Sequence, residues 1–194
     1  MINLVSIEKT ISLDIKEASD NHERMKNQTH TIAAIAEVLL GCLLNKGTIY
    51  LCGNGGSAAD CQHIAAEFTG RFLKERKSLP SIALTTNTSV LTAIGNDYGY
   101  DNVFTRQVAG LMTKDDCLIG ISTSGKSKNI ILAFEEAKTI GARTIAFTGD
   151  NPSPLSEIAD YAYKSPSKDT PRIQECHILC LHTICNAIEQ GLFK

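Results

Sequence analysis

This sequence has no block of basic residues, no cysteine pair at Cys-x-x-Cys spacing, and no apolar run long enough to span a bilayer. Each absence excludes a class of function. Lys and Arg number 19 against 21 Asp and Glu, for a formal net charge of -2. That balance gives no electrostatic footprint for nucleic acid or an anionic membrane. The longest apolar stretches fall well short of the roughly 20 residues of a spanning helix. The opening residues lack a signal peptide's order of basic, apolar and small-residue regions. The expectation is a cytoplasmic protein. Its 7 cysteines are an odd number and match no common structural-zinc spacing. Cys176, Cys180 and Cys185 fall among Ile, Leu and Ala on one predicted helix and read as reduced thiols serving as small core hydrophobes. A chain of 194 residues amounts to about one domain and can bury a core without metal or disulfide staples.

What is present begins with helices. A short helix is expected within residues 3–18. A long amphipathic one is expected over about 20–46, where Ile32, Ile35, Ala36, Leu39, Leu40, Leu43 and Leu44 recur at helical spacing before Gly47. Strands and helices then alternate. Strands are predicted at 48–52, 81–84, 117–121, 143–148 and, weakly, 161–164. Helices are predicted at 57–72, 89–94, 101–112, 126–140, 155–159 and 171–191, with a turn at 95–99. Apolar strands separated by helices imply an α/β fold, a parallel sheet covered on both faces. Ligands of such sheets bind beyond the carboxyl ends of the strands. The stripe on the 20–46 helix suits packing against copies of itself in a symmetric bundle.

The densest signal is Thr48-Ile-Tyr-Leu-Cys-Gly-Asn-Gly-Gly-Ser57, which runs into Ala-Ala-Asp-Cys-Gln-His63-Ile-Ala-Ala-Glu67. Glycines admit an anion close to the backbone, and the first amides of the following helix are free donors at a positive dipole end. Gly53-x-Gly55-x-x-Ala58 also fits the dinucleotide fingerprint, but the next strand ends in Thr85-Thr86-Asn87, with no carboxylate for a ribose diol. His63 and Glu67, at i and i+4, can meet one metal ion or one substrate; the plainer reading is an exposed polar pair. Ser122-Thr-Ser-Gly-Lys-Ser127 supplies hydroxyls and amides at a helix start, which suits a phosphate monoester more than simple capping. It lacks Walker A spacing. Gln174, His177 and His182 lie on the last helix. Gln174 and His182 are about 12 Å apart along an ideal helix, so one ion could join them only near full reach or across subunits. The residues alone do not choose between His177 and His182.

Four stretches together resemble the phosphoheptose isomerases of the sugar isomerase (SIS) superfamily. They are Cys52 to Glu67, Ala93-Ile-Gly-Asn-Asp-Tyr-Gly-Tyr100, Ile121-Ser-Thr-Ser-Gly-Lys-Ser-Lys-Asn129, and Arg172-Ile-Gln174-Glu-x-His-x-x-x-x-His182. The resemblance runs in order over essentially the whole chain, and no matched position departs from the pattern. It implies a three-layer, flavodoxin-like SIS domain over 1–194. Residues 1–46 would serve assembly, and 47–194 would form the sugar-phosphate core. The implied reaction interconverts sedoheptulose 7-phosphate and D-glycero-D-manno-heptose 7-phosphate through an enediol. This is the first step toward ADP- or GDP-heptose for lipopolysaccharide, capsule or S-layer glycans. The resemblance further implies a homotetramer with active sites between subunits and one Zn2+ per subunit on His63, Glu67, Gln174 and His182. Implied substrate contacts are Asn54, Gly55, Gly56, Ser57, Asn96, Asp97, Ser122, Thr123, Ser124, Ser127 and Gln174.

Aldose–ketose isomerisation needs a base between C1 and C2 and a group for the oxygen-bound protons. Glu67 is the expected proton shuttle, and His182 the expected acid/base. Glu67 as both ligand and base is a tension, since coordination lowers a carboxylate's basicity. The rival reading is a non-catalytic SIS relative that binds the bacterial replication initiator. That relative departs from the pattern at the Glu67 position, which this chain retains.

Overall fold

The computed structural model describes residues 4–193, with side chains from Ser6 onward. Its centre is a parallel sheet of β1 (Ile49–Gly53), β2 (Ser81–Ala83), β3 (Cys117–Ile121), β4 (Arg143–Thr148) and β5 (Tyr161–Lys164). The strands pair in the order β2-β1-β3-β4-β5, which is the flavodoxin-like order. β1 and β3 are buried along their whole lengths, as their continuous apolar runs require. Gly53 and Ile121 are register partners at the carboxyl ends of these two strands. The glycine loop and the hydroxyl loop therefore leave the sheet side by side, at the point where strand order reverses.

The described residues form eight α-helices: α1 (Leu4–Arg24), α2 (Thr29–Leu44), α3 (Gly56–Thr69), α4 (Thr88–Tyr98), α5 (Thr105–Leu111), α6 (Lys128–Ile140), α7 (Pro154–Ile158) and α8 (Thr170–Leu192). On one face Ile35 and Leu39 of α2, Ile64 and Phe68 of α3, and Cys180 and Ile184 of α8 close over the sheet. On the other face Val108, Ile130, Phe134 and Leu155 do so from α5, α6 and α7. All seven cysteines are buried free thiols. No described helix is long and apolar enough to cross a membrane.

The N-terminal helices differ from expectation. The first is the long one, ending at Arg24, and a 3-10 turn at Met25–Gln28 separates it from α2. No Gly or Pro marks this break; buried Met25 and a hydrogen bond from Gln28 to the Lys164 carbonyl fix it. Part of the expected self-packing stripe is taken up inside the chain. Ile35, Ala36 and Leu39 of α2 are buried within the chain's own core, which includes α8 residues. Ile32, Leu40 and Leu43 are half-buried against that core, Leu44 at the end of α2 is exposed, and further exposed apolar side chains, Ile7, Ile11, Leu13 and Ile15, line α1. Helix α4 runs through the expected turn at 95–99 and stops at Gly99, whose φ is +81°. The expected 101–112 helix is a 3-10 turn, Tyr100–Asn102, followed by α5.

Candidate active site

The turn after β1 is shaped by close approach. Gly55 has φ +57°, a left-handed conformation that favours glycine. A Cβ on Gly53 would lie 2.7 Å from the Ser57 carbonyl oxygen. A Cβ on Gly56 would lie 2.7 Å from Gln174 Nε2, so the missing side chain is what lets Gln174 of α8 sit against the start of α3. The Gly55 carbonyl accepts from the amides of Ala58 and Ala59, and the amides of Gly56 and Ser57 precede the first intrahelical bonds. Asn54 is fixed by a reciprocal amide pair with buried Asn129, at 3.0 and 2.9 Å, and accepts from the Tyr100 hydroxyl at 3.0 Å.

Two turns along α3, three of the singled-out side chains converge. His63 Nε2 lies 3.2 Å from Glu67 Oε1, and His182 Nε2 lies 3.0 Å from His63 Nε2. The ligand atoms of His63, Glu67 and His182 all fall within 4.8 Å of one another. Two imidazole nitrogens and a carboxylate converging in this way fit a Zn2+ site with an open position. The three residues belong to one chain, so their meeting requires no second subunit. The ring of His182 stacks on Phe72, with centroids 5.6 Å apart and planes at 25°. Asp60, one turn before His63, faces the same cluster. Burial pushes its carboxyl above the usual range, and the nearby His63 and His182 pull it back. One of its buried oxygens has no hydrogen-bond partner in the chain. Asp60 was missed in the sequence because a lone Asp in the first half of a helix reads as solvated charge.

The hydroxyl loop is shaped for something other than capping. Ser127 occupies the N-cap of α6, yet its side chain makes no capping bond. Its Oγ lies 2.9 Å from Ser122 Oγ instead, so the first amides of α6 stay open to a ligand. Ser124 Oγ accepts from the Lys126 amide at 3.2 Å. Gly125 has φ +62°, and a Cβ there would lie 2.0 Å from Ser153 Oγ, so the loop is braced on the α7 capping box. Thr123 accepts from the Gly149 amide at 3.0 Å, which joins the loop to the end of β4. A cavity of about 320 Å³ opens beside it, lined by Thr123, Ser124, Lys126, Asp150, Ser167 and Lys168 among others.

Not every candidate joins these groups. Asn96 and Asp97 are exposed in the last turn of α4, where Asn96 donates to Asp97 at 2.7 Å. The choice between the two histidines of α8 is resolved by burial. His177 is fully buried, bonds the Thr148 carbonyl at 3.0 Å through Nε2, and packs edge-on to Phe147 and Tyr163. Burial lowers its pKa to about 4, so it is a neutral core residue.

A sequence profile of the SIS domain family matches residues 15–149. The phosphoheptose isomerase of Campylobacter jejuni is 50% identical over 191 residues, which span 98% of this chain and 100% of that one. That of Aliarcobacter butzleri is 57% identical over 157 residues, 81% of this chain and 83% of the relative. Among solved structures, phosphoheptose isomerase GmhA from Neisseria gonorrhoeae superposes with TM-score 0.90 at 41% identity, covering 95% of this chain and 99% of that one. The phosphoheptose isomerase from Francisella tularensis gives TM-score 0.91 at 36% identity, covering 95% and 98%.

Proposed function

This chain belongs to the phosphoheptose isomerase family of SIS-domain proteins, and we propose that it interconverts sedoheptulose 7-phosphate and D-glycero-D-manno-heptose 7-phosphate. The observation that carries the reading is the convergence within 4.8 Å of His63 and Glu67, on α3 whose start lies beside the hydroxyl loop, with His182 of α8. The open amides of α6 and the hydroxyls of Ser122, Thr123, Ser124 and Ser127 grip the phosphate. Asn54, Gly55, Gly56, Ser57 and Gln174 border the sugar at the glycine loop; Asn96 and Asp97, exposed at the end of α4, are further proposed contacts that the chain does not bring to these groups. Glu67 carries a proton between C1 and C2, while His182 handles the protons of O1 and O2. His63, Glu67 and His182 would hold one Zn2+; Gln174, the fourth ligand the resemblance implies, sits against Gly56 at the start of α3 and would have to swing toward them to join. Zinc bound there supplies Lewis acidity at the carbonyl oxygen.

The assembly proposed is a homotetramer in which residues 1–46 form the contact and 47–194 the sugar-phosphate core, with the sites near subunit boundaries. Helix α1 supports it: Ile7, Ile11 and Ile15 recur at helical spacing and stand 41%, 53% and 65% exposed. The setting proposed is the cytoplasm, with no nucleic-acid or membrane partner. Incubating the purified protein with sedoheptulose 7-phosphate and following the reaction by NMR tests the activity. Growth of the aldose signal is expected. An unchanged spectrum with folded protein would overturn the assignment.

A further inference from the structure

We propose that the buried Arg76–Glu189 pair is a positioning element that holds α3 and α8 in the register at which Glu67 and His182 meet. The idea rests on the reading of those two residues as the reacting pair. The side chains of Arg76 and Glu189 are 2% and 1% exposed and lie 2.9 Å apart. Taking both charges out of water cancels most of what their attraction returns, and an apolar pair would fill the space with equal or better stability. What an apolar pair could not do is make the bonds these two make. Glu189 accepts from three consecutive amides, Phe72 at 3.3 Å, Leu73 at 2.8 Å and Lys74 at 2.7 Å. Arg76 donates to the carbonyls of Glu67 at 2.7 Å and Phe68 at 2.8 Å, in the last turn of α3. A guanidinium there also matches the negative end of the helix dipole.

The pair touches both halves of the proposed site. Arg76 bonds the backbone of Glu67 itself. Glu189 lies about two turns beyond His182 on the same face of α8. It also holds the amide of Phe72, whose ring stacks on His182. Burial works against the Glu189 carboxylate, yet the Lys74, Leu73 and Phe72 amides and the Arg76 guanidinium outweigh it and keep it ionised. The segment between α3 and β2 is thereby fastened to α8 at the point where the two helices would otherwise slide.

The test compares Glu189→Gln with Phe134→Leu, a truncation in the opposite layer of the core. Three quantities are read: kcat and KM on sedoheptulose 7-phosphate, the dissociation constant for Co2+ from its visible absorption, and the urea midpoint. For Glu189→Gln, kcat should fall about tenfold or more with KM nearly unchanged, and Co2+ binding should weaken by about 10–100-fold. Phe134→Leu should lower the midpoint and leave kcat and Co2+ affinity as in wild type. A Glu189→Gln protein that loses stability while keeping both would reduce the pair to scaffolding and overturn the proposal. If that variant does not fold, Arg76→Lys replaces it, keeping the charge and losing the fork. Full kcat and full Co2+ affinity in Arg76→Lys would overturn the proposal equally. Wild-type protein that turns over without binding Co2+ would remove the metal reading alone, and the kcat comparison would still decide the pair. Wild-type protein without turnover would fail the isomerase reading first and this inference with it.

Discussion

Where α3 meets α8, His63, Glu67 and His182 are side chains on two long helices, and a buried ion pair ties the end of one helix to the other. At the hydroxyl loop the working groups are backbone amides and short hydroxyls, braced by Gly125 against Ser153. Under the proposed function, the first region fixes a few atoms in place for proton transfer and the second offers many similar donors to a phosphate. A substitution at the first should therefore act on turnover, and one at the second on binding.

The largest effect is expected from Glu67→Gln, which keeps the shape and removes the proton acceptor. We expect kcat to drop about 10³-fold with little change in KM; a variant with near-normal kcat would dismiss Glu67 as the base. Next comes His177 of α8. The buried His177 has its pKa lowered to about 4, against 6.5 when unfolded. The unfolded chain therefore binds more protons between those values. Stability should be complete above pH 6.5 and fall by about 3 kcal/mol as pH drops toward 4. His177→Gln should flatten the pH dependence of the urea midpoint between pH 6.5 and 4.5. An unaltered slope would show that other groups set it.

Ser127→Ala should raise KM about tenfold with kcat nearly intact, because grip on the phosphate serves ground and transition states alike. A selective loss of kcat would erase the contrast between the two regions. The smallest expected effect is none. Glu67 and His182 meet within one chain, so mixing inactive Glu67→Gln and His182→Ala proteins should not restore activity. Recovered activity would mean that working sites pair these residues across subunits.

The two loops were legible in the sequence because strand, glycine or hydroxyl turn, and helix start follow one another within a few residues. The parallel sheet followed from the same alternation, whereas its β2-β1-β3-β4-β5 order did not. The N-terminal helices were not legible in full. Ile7, Ile11 and Ile15 recur at helical spacing yet stand exposed, and the break at Met25–Gln28 is set by a contact with Lys164. The end of α4 was placed early because Gly95-Asn-Asp reads as a turn, whereas Gly99 carries the positive φ. Asp60, Asn129 and the Arg76–Glu189 pair were invisible because only tertiary packing brings them to the residues they serve. The choice of His182 over His177 also needed burial, since both stand among the same apolar neighbours in the sequence.

The most direct measurement is hydrogen exchange on the substrate. Sedoheptulose 7-phosphate incubated in D2O with wild-type protein should lose proton signal at C1 as the aldose appears, and with Glu67→Gln it should do neither. Exchange at the wild-type rate in Glu67→Gln would contradict the account, since the proton would then be moved by another group.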